Sequence, residues 1–124
     1  MSFSASIERS FEASHQLRLP DGSLEKLHSH VWNLNVTITS ESLDAMDCVM
    51  DFHELEKIVD AIIKPWRGRN LNDIAPFDSR VNPSAERVAE TVGRAIRLPE
   101  RVTIELVTVT EAAGCKAGWR PTLL

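Results

Sequence analysis

Phe3-Ser4-Ala5-Ser6-Ile7-Glu8-Arg9-Ser10-Phe11-Glu12-Ala13-Ser14-His15 opens the chain with a strict alternation. Phe3, Ala5, Ile7, Phe11, Ala13 and His15 share one parity; Ser4, Ser6, Glu8, Ser10, Glu12 and Ser14 share the other. A period of two is that of a β-strand with one face buried. Arg9 alone interrupts the apolar series. Working outward, residues 18–26 carry Pro20-Asp21-Gly22-Ser23 and read as a loop. A second strand follows, with His28, His30, Trp32, Leu34, Val36 and Ile38 on its apolar side and Ser29, Asn33, Asn35 and Thr37 opposite.

Asp51-Phe52-His53-Glu54 has the form of a capping box. Phe52, Leu55, Ile58, Val59 and Ile62 then recur at helical spacing until Pro65. Asn82-Pro83 reads as an N-cap followed by proline at the first helical position. Ala85, Val88, Ala89, Val92, Ala95 and Ile96 make the apolar stripe of this second helix, which Pro99 ends. Residues 101–111 are rich in β-branched types and read as a strand; Cys115, Ala117 and Trp119 suggest a short last one.

The order ββααββ predicts an α+β fold, a four-stranded antiparallel sheet with two helices on one face. At 124 residues the chain is a single domain, 1–124. An open sheet in so short a chain leaves edges unpaired and a face uncovered, and assembly into a symmetric ring is the natural remedy. Net charge is −4 with both signs interspersed, and no Lys/Arg block stands out. That argues against nucleic acid or an anionic membrane as partner. No apolar run approaches a membrane span, and Met1-Ser2-Phe3-Ser4-Ala5 lacks the form of a signal peptide, so a cytoplasmic protein is expected. Cys48 and Cys115 have no metal-type spacing and are expected to be reduced thiols, buried as small apolar groups.

His15 ends the first strand and His28 and His30 begin the second, all three on the apolar side. If the strands pair antiparallel through the loop, three imidazoles converge from one face, because residues i and i+2 of a strand point the same way. Three neutral nitrogens with an open fourth position is the pattern of a catalytic zinc site. The plain alternative is three partly buried histidines bonded to backbone. His53, in the first turn of a helix, reads as a surface residue.

These stretches resemble a known family. Phe11-Glu12-Ala13-Ser14-His15 and Leu27-His28-Ser29-His30 look like the zinc motifs of 6-pyruvoyl-tetrahydropterin synthases and the related bacterial 6-carboxy-tetrahydropterin synthases. The likeness continues through Val49-Met50-Asp51-Phe52, Leu71-Asn72-Asp73-Ile74 and Asn82-Pro83-Ser84-Ala85-Glu86. It closes with Val107-Thr108-Val109-Thr110-Glu111 and with Trp119, where the family usually has tyrosine. The resemblance implies a tunnelling fold, trimers stacked into a homo-hexamer, and active sites between subunits. It implies zinc on His15, His28 and His30, and a pterin-like small molecule as partner. Glu111 would grip the pterin ring, whose N–H and amino edge suits a carboxylate. Ser84 matches a family threonine at the ring pocket, with helix capping as its alternative. Glu86 follows in the same motif and could equally be an exposed first-turn carboxylate.

The family's proton-transfer cysteine, four residues before the His-x-His pair, is here Leu24, and its Asp-His helpers correspond to Arg67-Gly68. Glu25, however, begins a Glu-x-x-His form that resembles a variant branch using glutamate, which cleaves the dihydroneopterin triphosphate side chain to leave a hydroxymethyl group. Three functions are therefore expected candidates. One is a zinc-dependent carbon–oxygen or carbon–carbon lyase acting on a dihydropterin side chain with Glu25 as base. The others are a pterin- or purine-binding protein without chemistry, and a scaffold oligomer.

Overall fold

The computed structural model describes residues 2–122. Strand β1 (Phe3–His15) pairs antiparallel with β2 (His28–Ser40) along its whole length, from Phe3 opposite Ser40 to His15 opposite His28. β3 (Thr103–Ala112) pairs with β2, and β4 (Cys115–Trp119) with β3, giving one antiparallel sheet in the order β1-β2-β3-β4. Helices α1 (Phe52–Ile63) and α2 (Ala85–Ala95) sit between β2 and β3 in the chain and cover one face of the sheet. The ββααββ order expected from periodicity is the observed one.

Phase explains most of the core. Phe11, Trp32, Leu34, Val36, Ile38 and Val107 point from the sheet toward the helices, which answer with Leu55, Val59, Val88 and Val92, all buried. Each such aliphatic side chain taken from water contributes about 1.5–3 kcal/mol. One irregularity is required by the sequence itself. Val36 faces Val107 but Ile38 faces Ile104, so the register slips by one residue between Thr37 and Ile38. The bulge puts Glu105 out of step, exposed, and brings Ile104 back to the apolar side. Arg9, the odd member of β1, turns its guanidinium to α1: Nε and Nη2 reach the Asp60 carboxylate at 3.0 and 2.7 Å, and Nη1 lies 3.4 Å from Glu56. The Asp60 hydrogen bonds and charge raise its pKa above the ordinary value.

Asp51 caps α1 by accepting the His53 N–H at 2.9 Å. For α2 the expected start is corrected. The N-cap is Ser84, whose Oγ accepts the Arg87 N–H at 3.2 Å, and Asn82-Pro83 precede it. Gly93 is buried while Ala95 is exposed. A Cβ on Gly93 would stand 2.3 Å from the Trp119 ring, so glycine lets β4 lie directly on α2. Arg94 reaches over the same ring, 5.5 Å from its centroid. The cysteines are also corrected: Cys48 and Cys115 are both exposed, at a loop and at the start of β4. Among the described residues no helix is long and apolar enough to cross a membrane.

Candidate functional site

Because His15 stands opposite His28, the end of β1 lies beside the start of β2, and the i, i+2 step adds His30 on the same side. The His15 ring centroid is 4.5 Å from that of His28 and 5.1 Å from that of His30. Trp32 supports both from below, edge-on to His15 at 4.6 Å and stacked on His30 at 4.4 Å. His15 is fully buried, His30 partly so, and His28 is open to solvent.

The protons are accounted for by the carbonyls around the cluster. His15 Nδ1 lies 2.8 Å from Pro83 O, His28 Nδ1 3.0 Å from Lys26 O, and His30 Nδ1 3.1 Å from Val31 O. A carbonyl oxygen can only accept, so each Nδ1 carries a hydrogen, and in the neutral ring each Nε2 presents a lone pair. The tautomers thus follow from the partners. His15 Nε2 and His30 Nε2 are 3.3 Å apart, and Glu111 Oε1 is 3.1 Å from the first and 3.8 Å from the second. With His28, four ligand atoms lie within 4.8 Å of one another. Acceptors this close repel unless a cation sits among them. Tetrahedral zinc with bonds of about 2.0–2.1 Å would hold its ligands about 3.4 Å apart. The donor set fits that ion in chemistry, and the His15, His30 and Glu111 atoms come near it in spacing. Burial lowers the His15 pKa, against the opposing pull of the Pro83 carbonyl and Glu111, and so favours the neutral ring a metal needs.

Beyond His15 the chain leaves the sheet, yet its backbone stays paired, mostly by side chains. Gln16 N–H donates to Asn72 Oδ1 at 2.9 Å, and Asn72 Nδ2 donates back to Gln16 O at 2.8 Å. Leu17 N–H donates to Glu25 Oε1, and Glu25 N–H to Leu17 O, both at 3.0 Å. Arg18 N–H donates to Asn82 Oδ1 at 2.7 Å, and Asn82 Nδ2 to Arg18 O at 3.1 Å. Arg18 completes the clamp by donating to Phe77 O and Val81 O at 2.7 and 3.1 Å. Asn82 is followed by Pro83, whose carbonyl orients His15, so the clamp ties the segment after His15 to the group that aims its ring. Asn82→Ala is expected to cost about 1–3 kcal/mol in chemical denaturation and to weaken zinc binding about 10–100-fold. Unchanged zinc affinity would detach the clamp from the site.

Of the residues expected from sequence, His15, His28, His30 and Glu111 come together. Glu25 lies outside that group, its carboxylate on the Leu17 amide. Ser84 caps α2, and Glu86 is exposed in the first turn. His53 is exposed, paired with Glu56 at 3.0 Å. Asn72, Asn82 and Arg18 were not anticipated as site residues; the only signal was that both asparagines fall within the quoted motifs. Arg67-Gly68 dresses the outer edge of β1. Arg67 Nη1 donates to Ser10 O, Gly68 N–H to Glu12 O, and Ser14 N–H to Arg69 O, at 2.9, 2.7 and 2.9 Å. A groove of about 890 Å³ lies elsewhere, over the uncovered sheet face, where Asn33, Asn35, Thr108, Thr110 and Lys116 line it.

The family described as 6-pyruvoyl tetrahydropterin synthase matches residues 4–121. Dihydroneopterin monophosphate aldolase of Pyrococcus furiosus is 34% identical over 104 residues, spanning 82% of this chain and 83% of that protein. Among solved structures, 6-pyruvoyl tetrahydropterin synthase of Caenorhabditis elegans superposes with a TM-score of 0.80 at 18% identity, covering 98% of this chain and 97% of that one. A catalytic-residue mutant of Plasmodium vivax 6-pyruvoyltetrahydropterin synthase, with glutamate changed to cysteine, gives 0.75 at 18% identity and covers 99% of each chain. The two structures share this fold.

Proposed function

The chain belongs to the 6-pyruvoyl tetrahydropterin synthase family, and from that premise we propose that it is a zinc-dependent lyase cleaving the side chain of a phosphorylated dihydroneopterin. The observation that carries this reading is the placement of Glu25. Its carboxylate is fixed to the Leu17 amide, two residues beyond the His15 ligand, in the segment that joins the zinc-binding ends of β1 and β2. Leu24, where the family's usual thiol would stand, is an exposed hydrocarbon that cannot move a proton. A relative named for aldol cleavage of dihydroneopterin monophosphate supports the same assignment, and a catalytic glutamate in the Plasmodium vivax synthase is a precedent for a carboxylate in the fold.

The division of labour follows from the side chains. His15, His28 and His30 would hold zinc, which when bound would acidify a side-chain hydroxyl and stabilise the charge that develops on it. Glu111, expected from resemblance to grip the ring's N–H and amino edge, has its Oε1 3.1 Å from His15 Nε2 and so meets the substrate at the side-chain end, where it can accept a hydroxyl hydrogen. Ser84 keeps its hydroxyl hydrogen free while its oxygen caps α2, and can donate it to the ring. Glu86 stands at the same helix terminus as a weaker candidate contact. Glu25 takes the proton from the hydroxyl on the second side-chain carbon. The bond between the first and second carbons breaks, and its electron pair passes into the adjoining C=N bond of the dihydropterin ring. The same carboxyl then returns the proton to the first carbon. The products are a hydroxymethyl-dihydropterin and a two-carbon aldehyde bearing whatever phosphate the substrate carried. A single chain leaves the cluster open on the His28 side, and we place the missing walls on neighbouring copies in a trimer-based homo-hexamer in the cytoplasm.

One observation favours a second reading. Glu25 commits Oε1 to a backbone clamp, and Arg67-Gly68 offers no proton relay, which is what a pterin-binding protein without chemistry would keep. Incubating the zinc-loaded protein with 7,8-dihydroneopterin monophosphate separates the two. The lyase releases hydroxymethyl-dihydropterin and glycolaldehyde phosphate in equal amounts. Saturable binding without either product leaves only the binding protein.

A further inference from the structure

Residues 16–27 join the two strand ends that carry the histidines, and this segment holds two cations, Arg18 and Lys26. Their surroundings differ. The Arg18 guanidinium is partly buried and fixed on the carbonyls of Phe77 and Val81 at 2.7 and 3.1 Å. Lys26 is exposed, and among the described residues its ammonium forms no ion pair. Its backbone is nonetheless held on both sides. Glu25 N–H donates to Leu17 O at 3.0 Å, and the Lys26 carbonyl accepts the His28 Nδ1 hydrogen at 3.0 Å. The ammonium therefore hangs from an anchored root, one imidazole ring away from the point where the three histidines converge. We propose that Lys26 receives the phosphate of the substrate and makes the site selective for phosphorylated over unphosphorylated pterin side chains. This rests on the phosphorylated-pterin reading above.

Charge makes such a residue necessary. A phosphomonoester carries about 1.5 to 2 negative charges at neutral pH. The protein has a net charge of −4, and the site brings Glu25 and Glu111 as well. A phosphate is repelled there unless a cation meets it. Lysine binds phosphate as a point charge on a flexible four-carbon stem, so it needs no rigid fork. Chain order puts it within reach. Glu25 acts on the hydroxyl of the second side-chain carbon, the phosphate hangs one carbon further out, and Lys26 is the next residue along the exposed run that leads to His28. Lys116 and Arg69 are placed less well. Lys116 pairs with Thr110 on the uncovered sheet face, away from the helix side where the histidines lie. Arg69 runs along the outer edge of β1, its carbonyl taking the Ser14 N–H.

Calorimetry of the zinc-loaded protein with neopterin and with neopterin monophosphate tests this. Wild type is expected to bind the monophosphate about tenfold more tightly, a preference that shrinks as salt is raised. Lys26→Met is expected to bind both ligands equally, at the wild-type affinity for neopterin. Its zinc content and melting temperature should not change, because the group that holds His28 is a backbone carbonyl. Lys26→Arg should keep the preference. A preference retained in Lys26→Met would overturn the assignment, placing the phosphate on the metal or, if Arg69→Met abolishes it, on the outer edge of β1. Equal binding of the two ligands by wild type would overturn phosphate recognition and leave the pterin site standing. Binding of neither ligand would remove the pterin reading itself.

Discussion

Alanine at His28 is expected to lower zinc affinity by more than about 100-fold while leaving the metal-free fold almost as stable as before. His28 is exposed, caps no element and contributes its ring only to the cluster, with Nδ1 on the Lys26 carbonyl of its own loop. Exposed substitutions of that kind usually shift stability by no more than about 0.5 kcal/mol. The same change at His15 would confuse two effects, because that ring is fully buried and its removal opens a cavity between Trp32 and Pro83. Competition with a zinc chelator reads the affinity, and thermal unfolding of the stripped protein reads the fold. If the three rings are ordinary histidines bonded to backbone, His28→Ala will bind zinc no worse than wild type.

Glu25→Gln is expected to reduce turnover of dihydroneopterin monophosphate by about 10²–10⁴-fold, with zinc content and melting temperature unchanged. Glutamine retains an oxygen that can accept the Leu17 N–H, so the clamp survives while the proton acceptor is lost. Glu25→Ala removes both functions and should lose stability as well as rate. The pair of variants therefore separates chemistry from positioning at one residue. Full turnover in Glu25→Gln would make Glu25 a clamp alone and send the search for a base elsewhere.

The histidine trio was legible because strand phase is a local property. Alternation along residues 3–15 and 28–38 fixes which side chains share a face, and a loop of about a dozen residues favours the antiparallel pairing that brings His15 against His28. Glu111 was legible only through resemblance: its place depends on β3 meeting β2 across two helices, a contact no spacing rule encodes. The asparagine clamps could not be read at all. Asn82 before a proline has the signature of a helix cap, and that local preference concealed a bond to Arg18, 64 residues away. Ser84 took the cap instead because its position allows Oγ to reach the Arg87 amide. The cysteines were misplaced for a related reason. Small thiols are usually buried, but Cys48 falls in an exposed loop and Cys115 at an exposed strand end. Arg9 looked like an error in a clean pattern; its explanation lay in α1, about fifty residues on.

The Arg67 to Asn70 segment that dresses β1 has a consequence for anything that adds a strand there. It occupies the outward backbone groups of Ser10, Glu12 and Ser14, so an incoming strand can zip only along Phe3 to Arg9, about 24 Å at 3.4 Å per residue. The Arg67 guanidinium acts as an end stop. A newcomer is halted in one direction, which limits how far its register can slide and leaves the histidine end of β1 clear of any added ladder.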